Sequence, residues 1–219
     1  MRRFLRGVGW TFIGMGAFVL YFLVYQLVGT NAENDHQQAN LRQALEREWT
    51  RPGNVATGRS STGPSSAKLA PAALGDAVAI IEIPKIHVQK VVVEGVGRQQ
   101  LAMGPGHVPR TALPGQPGTF GVSGHRTTHG APFYYLDQVA KGDTILVVTR
   151  DSIFTYTVTG KTVVDPSDTA VLDPVRGPDG KLKATITLTT CNPRFSARQR
   201  LIIFGLLSDS RPNNGTVAA

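Results

Sequence analysis

Cysteine is nearly missing from this chain. Cys191 is the only one in 219 residues, so an intramolecular disulfide is excluded. Histidine is sparse as well, with five residues, His36, His87, His107, His125 and His129. They form no Cys/His cluster, and no acidic loop of the EF-hand kind accompanies them, so the sequence implies no metal site. No cofactor is implied either: Gly95-Val96-Gly97 lacks the third glycine and the following helix that a dinucleotide loop needs. The charge balance is one-sided, at +8. The excess is shared, with 8 basic against 4 acidic residues in 1–75 and 15 against 11 in the remainder. No nucleic-acid motif or aromatic-interleaved basic patch goes with it, which argues against nucleic acid as a partner. An anionic envelope polymer suits such a surface better. Beyond the first fifty residues, long helical patterns are also lacking. What the chain has in quantity is 24 Gly, 14 Pro and 41% apolar residues, the composition of a turn-rich β fold with material for one core.

Arg2, Arg3 and Arg6 precede an uncharged run from Gly7 to Val28. At ~1.5 Å per residue the run reaches the ~30 Å hydrocarbon thickness of a bilayer. Trp10 and Tyr25 lie near its ends, where interfacial aromatics concentrate, and no basic residue follows until Arg42. Residues 1–30 therefore read as a cytoplasmic tip and a single transmembrane helix, with the rest of the chain outside the cell. The alternative is a cleaved signal peptide. Its apolar region is usually only about 7–15 residues long, and no A-x-A cleavage site is present here. Asn31 is placed to cap a helix running to about Trp49, whose only apolar stripe is Leu41, Leu45 and Trp49. Arg51 to Pro71 turns to Gly, Ser, Thr, Pro and Ala, a flexible linker composition. Residues 31–75 are thus expected to be a stalk helix and linker holding a domain off the membrane. That domain is expected to span 76–208, with a disordered tail at 209–219.

The domain reads as short strands: Val78–Ile83, Val88–Val93, Thr119–Ser123, Thr144–Thr149, Ile153–Val158, Lys161–Val164, Leu182–Thr190 and Leu201–Leu207. Pro84, Gly95-Val96-Gly97, Gly142-Asp143, Arg150-Asp151 and Pro178-Asp179-Gly180 punctuate them. Helical patterns are limited to Gln99–Met103 and Pro132–Val139. Many short strands without long helices predict a closed barrel or a sandwich, and pattern alone does not choose between them.

Cys191 ends the β-branched run Leu182–Thr190, and Asn192-Pro193 breaks it. Arg194, Arg198 and Arg200 follow within nine positions. Neighbouring cations favour thiolate, the nucleophilic form. A lone cysteine is otherwise most often a buried structural one, and local sequence leaves both readings open. His125 likewise follows a strand directly, and strand ends on one rim would bring a base within reach of a thiol. His129 and His107 compete for that role, with loop structure or groove walls as their other use. His36 reads as solvated and His87 as a turn residue. For the oxyanion formed when a thiolate attacks an amide, the three arginines are candidates. Arg200 begins the last apolar strand and so sits on a rigid element; Arg194 and Arg198 read as solvated loop residues.

Thr187-Leu188-Thr189-Thr190-Cys191 resembles the TLxTC signature of sortases, the cysteine transpeptidases of Gram-positive surfaces. Its continuation from Cys191-Asn192-Pro193 to Arg200-Leu201-Ile202 is similar to the class E branch. Gly124-His125-Arg126-Thr127-Thr128-His129-Gly130-Ala131-Pro132-Phe133 resembles the block that carries the sortase histidine, and Ile81-Glu82-Ile83-Pro84-Lys85-Ile86 the opening strand. The likeness covers about Asp76 to Leu207. It implies a mainly β fold, the eight-stranded sortase-type β-barrel with short helices. It implies Cys191 as nucleophile, His125 as acid and base, Arg200 as the charge-stabilising residue and Thr190 as a substrate contact. The implied reaction cuts an LAxTG- or LPxTG-type sorting signal between Thr and Gly, then transfers the secreted protein to an amino group of a peptidoglycan precursor. Val108 stands where class E members often carry an aromatic. Two rival functions are a non-catalytic, membrane-tethered barrel that binds envelope partners and a different cysteine enzyme such as an L,D-transpeptidase. The complete Cys/His/Arg set opposes the first, and the blocks typical of the second are missing.

Overall fold

The computed structural model describes residues 2–50 and 72–213. Eight strands close into a barrel: β1 (Ala77–Ile83), β2 (Val88–Glu94), β3 (Gly106–His107), β4 (Gly118–Ser123), β5 (Thr144–Val148), β6 (Ser152–Val164), β7 (Ala184–Asn192) and β8 (Gln199–Pro212). Around the barrel their order is β1-β2-β3-β4-β7-β8-β6-β5, and β1 pairs with β5 to complete the ring. Closure gives every strand a neighbour on both sides, which the edges of a sandwich lack. Alternation along the strands sends Phe120, Val122, Ile145, Val147, Tyr156, Ile186, Leu188 and Ile203 into the centre, each at most 1% exposed. Fully burying a side chain of that size contributes ~1.5–3 kcal/mol.

Besides shifts of one or two residues at strand ends, three features differ from those expected. Ile153–Val158 and Lys161–Val164 are one 13-residue strand, because an irregularity between Val158 and Gly160 lets β6 pass Thr159 and Gly160 without losing its pairing to β8. The two-residue β3 is too short to carry a periodic signal; it is held between β2 and β4 by its register. The last strand continues four residues past Ser208, where Asp209, Ser210, Arg211 and Pro212 pair with Thr155, Phe154, Ile153 and Ser152. The tail expected at 209–219 therefore begins no earlier than Asn213; residues 214–219 lie outside the described set. Of the two expected short helices, α2 forms over Arg98–Met103, while Pro132–Val139 holds only a 3-10 turn at Leu136–Gln138.

The N-terminal region is a single 49-residue helix, α1 (Arg2–Thr50), rather than a span followed by a separately capped stalk. The expected membrane span, residues 7–28, falls on this helix. The side chains of residues 23, 24 and 26–28 lie outside the described set, and among the described residues no helix is long and apolar enough to cross a membrane. The expected linker, residues 51–71, also lies outside them. The last third of α1 is not a free stalk but packs on the barrel. Leu45, with Leu41 and Trp49, covers Ile80, Val91, Val148 and Ile153. Gln38 makes a two-point contact with β2: its amide nitrogen donates to Val91 O at 3.2 Å and its amide oxygen accepts the Val91 N–H at 2.7 Å. The same nitrogen donates to Met103 O at 2.7 Å, and Asn34 donates to Ala102 O at 2.8 Å, which satisfies carbonyls at the end of α2. The stripe Leu41, Leu45, Trp49 is thus narrow because it needs to cover only a small apolar patch, with amides filling the remainder.

Docking of this kind has a measurable consequence. Deleting residues 1–33 is expected to leave the barrel's melting temperature nearly unchanged, whereas deleting 1–50 uncovers the patch beneath Leu45. Losing one buried Leu and several buried hydrogen bonds costs several kcal/mol, equivalent to a fall on the order of 10 °C for a domain of this size. Thermal melts of the two truncated proteins check this; equal melting temperatures would show that α1 rests on the barrel without stabilising it.

Candidate active site

β4 and β7 run parallel, with Ser123 beside Thr189. His125 lies two residues beyond Ser123, and Cys191 two beyond Thr189. At ~3.3 Å per residue the two strands carry both side chains to the same rim of the barrel. β8 returns antiparallel to β7 with Arg200 directly opposite Cys191, a position whose Cβ atoms are ~4.5–5.5 Å apart. The three residues singled out from sequence therefore converge at one end of three neighbouring strands. Cys191, which is half-buried, and His125 line one cleft of about 400 Å³ together with Thr127, Thr128, Phe195, Ser196 and Ala197. A larger cleft of about 560 Å³ lies on the outer face of β6, β7 and β8, under residues 168–175. It holds no Cys or His, so the chemistry belongs to the smaller one. Among the described residues no group of three or more His, Cys, Asp or Glu could hold a metal ion.

The histidine loop is strained and tightly held. His129, Gly130 and Ala131 have φ of 51°, 72° and 42°, and left-handed backbone costs a non-glycine residue ~1–2 kcal/mol. Contacts on both sides offset this cost. The Phe133 N–H donates to His125 O at 3.1 Å and the Ala131 N–H to Thr128 O at 2.9 Å. The Phe133 ring lies against Gly124, where a Cβ would approach it to 2.7 Å. Asn34 of α1 occupies the space that a Cβ on Gly130 would need. The conformation lays the His129 ring on that of His125, with centroids 4.8 Å apart and planes at 22°. His129 is thus a stacking partner of His125 and not its substitute. Burial, and secondarily the charge of His129, pushes the His125 pKa below the ordinary 6.5.

His107 is far from free loop structure. It is 3% exposed, with Nδ1 2.6 Å from Glu94 Oε2 and Nε2 2.9 Å from Thr111 Oγ1, so it ties β3 to β2 and to the segment before β4. His36 is exposed, as expected, and His87 is an exposed turn residue with φ of 52°.

Thr190 is corrected. Its neighbours Ile186 and Leu188 face the core, and alternation sends Thr190 inward with them. It is 2% exposed, and its hydroxyl donates to Gly124 O at 2.8 Å. It therefore fastens the end of β7 to the residue before His125 and does not present its hydroxyl to the cleft. The outer row is Thr185, Thr187, Thr189 and Cys191. Thr185 bonds Thr119, Thr187 donates to Val171 O at 3.2 Å, and Thr189 Oγ1 is shielded from water without a partner among the described residues.

The arginines separate into three environments. Arg194, expected to be solvated, is only partly exposed and is held by bonds. Its Nη2 donates to both carboxylate oxygens of Asp137 at 2.9 and 3.1 Å, its Nε donates to Tyr134 O at 3.1 Å, and its guanidinium lies 4.5 Å from the centre of the Tyr134 ring. Arg198 is exposed, with no side-chain partner among the described residues. Arg200 folds over the β7–β8 connection, with Nη1 donating to Ala197 O and Gln199 O at 3.0 Å each. A further residue, inside the histidine block and without a role readable from sequence, is Arg126. It is 4% exposed and reaches from the histidine loop to the Cys191 carbonyl. An arginine beside polar loop residues reads as surface, and only its burial marks it.

These environments predict a graded mutational series. Arg200→Ala is expected to slow acyl-enzyme formation ~10²–10³-fold, the usual worth of one fixed donor at a developing oxyanion. Arg198→Ala should stay close to wild type, and Arg194→Ala should fall between them because it frees the loop that carries Phe195 and Ser196. Intact-protein mass spectrometry at short reaction times measures this; equal losses in all three would make the loop as a whole the charge site.

Residues 81–208 match the family described as Sortase domain. The chain is 36% identical to sortase SrtE1 of Streptomyces coelicolor over 95% of its own length and 58% of that protein's, so it spans less than two thirds of this relative. Sortase D of Bacillus subtilis is 28% identical, over 88% of this chain and 93% of that one. Among solved structures, sortase E1 from Streptomyces coelicolor with a tripeptide in its active site superposes with a TM-score of 0.61 at 36% identity, covering 67% of this chain and 96% of that one. A sortase D5 transpeptidase from Clostridium perfringens gives 0.64 at 28% identity, covering 80% and 99%. With its closed eight-stranded barrel and a match over more than half its length, the chain belongs to the sortase family, whose members are cysteine transpeptidases.

Proposed function

We propose that this sortase is a membrane-anchored enzyme that cuts a C-terminal sorting signal of LAxTG or LPxTG type between Thr and Gly and passes the protein to an amine of a cell-wall precursor. The observation that carries this reading is the register that brings Cys191, His125 and Arg200 to one rim, opening on a cleft. Cys191 Sγ attacks the threonine carbonyl, and negative charge develops on its oxygen next to the Arg200 position. As the C–N bond breaks, His125 gives its proton to the departing glycine nitrogen and leaves a thioester. The acceptor amine then attacks the thioester carbonyl, His125 takes up its proton, and the thiolate departs.

The anchor rests on the run from Gly7 to Val28 behind Arg2, Arg3 and Arg6, and on apolar side chains that α1 leaves uncovered: Trp10 is 72% exposed, Phe12 65% and Phe18 67%. With the N-terminus cytoplasmic, the barrel faces outward, and protease added to wall-stripped cells should degrade residues 76–219. Protection of that region would refute the topology. The reaction is tested with the full chain in detergent, a panel of signal peptides and an added amine. Mass spectrometry should show cleavage after Thr and diversion to the amine adduct; failure on the whole panel would favour a non-catalytic envelope-binding barrel.

A further inference from the structure

Arg126 is a buried cation bonded to both sides of the rim. It follows His125 directly, in the loop after β4. Its Nη1 donates to Cys191 O at 3.3 Å and to Asn192 Oδ1 at 3.0 Å, at the end of β7. Its Nε donates to Tyr134 O at 3.4 Å, and its Nη2 pairs with Asp137 Oδ1 at 3.0 Å, at the 3-10 turn Leu136–Gln138. Asp137 in turn receives Arg194 from the β7–β8 connection. A single guanidinium therefore joins the segment carrying the imidazole, the residue carrying the thiol and the turn that supports both. Only a planar fork with several donors can hold these acceptors together; an ammonium on a flexible stem cannot. Burying an arginine to this extent is costly unless its partners are fixed, and here every contact lies on a segment adjoining the cleft.

We propose that Arg126 is the positioning residue of the sortase reaction: by bracing the Cys191–Asn192 backbone against the histidine loop, it sets the approach of thiol to imidazole. The inference rests on the roles given to Cys191 and His125. Arg126 does not face the cleft, so it acts through them. Thr190, whose hydroxyl holds Gly124 O from the core side, provides the matching brace from within. Between them the two contacts tie the histidine segment to the end of β7 at three successive residues, Thr190, Cys191 and Asn192.

The test uses the full chain with Arg126→Met, Arg126→Lys and Asn192→Ala. Thermal melts, kcat and KM on the peptide, and the rate of Cys191 alkylation by iodoacetamide are recorded for each. A displacement of about 1 Å at a reacting pair costs on the order of 10²-fold. Arg126→Met is therefore expected to lower kcat about 100-fold with KM changed less than about threefold. Arg126→Lys should recover part of the rate, and Asn192→Ala, which removes one of the four contacts, should lower kcat by about 3–10-fold. The rate of alkylation at one fixed pH should fall in Arg126→Met and recover in part in Arg126→Lys, because the imidazole is displaced from the thiol it assists. Rate losses that follow melting temperature alone, with alkylation rates alike in all variants, would overturn the proposal and leave Arg126 a purely structural residue. If Arg126→Met does not fold, Asn192→Ala decides: wild-type kcat and KM in that protein would refute the brace. Alkylation needs no signal peptide, so a wild type inactive on every peptide would count against the proposed function without obscuring this result.

Discussion

Cys191→Ala is expected to form no thioester and no amine adduct, with turnover reduced by on the order of 10⁴-fold or more. The chain has no second cysteine, the hydroxyl of adjacent Thr190 is turned into the barrel and bonded to Gly124 O, and the hydroxyls of Thr127, Thr128 and Ser196 that line the cleft are far weaker nucleophiles than a thiolate. Thr189 does face outward, but a threonine hydroxyl without a base in contact is a poor nucleophile. The residual rate reports what binding and charge stabilisation achieve without covalent chemistry, and this is small when the attacking group is removed. Mass spectrometry of enzyme and peptide together reads both the thioester and the product. Cleavage persisting in Cys191→Ala would rule out the sortase mechanism for this chain, whatever its fold.

His125→Ala should lose about 10²–10⁴-fold in turnover, the range over which a positioned acid or base acts. The pH dependence is more informative than the loss. Burial first, and the His129 charge second, hold the His125 pKa below 6.5, so at neutral pH the ring is mostly neutral. The productive state needs thiolate with imidazolium, and the acid limb of kcat/KM follows the His125 pKa. Replacing His129 with Gln removes one of the two lowering influences, so this limb should move to higher pH and the plateau should rise, because more of the ring is protonated there. A limb that stays in place would show that the stack does not tune His125. The same shift bears on stability. The unfolded chain protonates this ring at its ordinary pKa while the folded protein resists, so folding loses stability as pH falls below 6.5 and the effect is absent above it.

Strand ends are what bring Cys191, His125 and Arg200 forward in the sequence. Cys191 and His125 each close a β-branched or apolar run, and Arg200 opens one; in a closed barrel such positions lie at a rim. Sequence does not show which face of β7 leads into the core, because Thr187, Thr189 and Thr190 look alike there, and the Thr190 hydroxyl expected at the substrate turns into the barrel. Arg194 and Arg126 were unreadable for a related reason. Cations in polar loops are usually solvated, and what distinguishes these two is the distant Asp137 and Tyr134, brought close only by folding. The docking of α1 was hidden because two of its main anchors, Asn34 and Gln38, are amides, which a search for an apolar stripe passes over. β3 was missed because two residues carry no period.

Helix α1 also changes what controls the enzyme's reach. A stalk followed by a flexible linker would let the barrel wander above its anchor, sampling substrates at many heights. Here the docking residues, Asn34 to Trp49, precede the linker composition of 51–71, so the barrel is met before that composition begins. With residues 7–28 in the bilayer, as proposed, only a few helical residues separate membrane from barrel, ~1.5 Å each. The cleft then behaves like a tool on a rigid shaft, at one height and one angle. A sorting signal must be delivered to that height by its own spacer, and the length of chain between signal and membrane becomes part of what the enzyme selects.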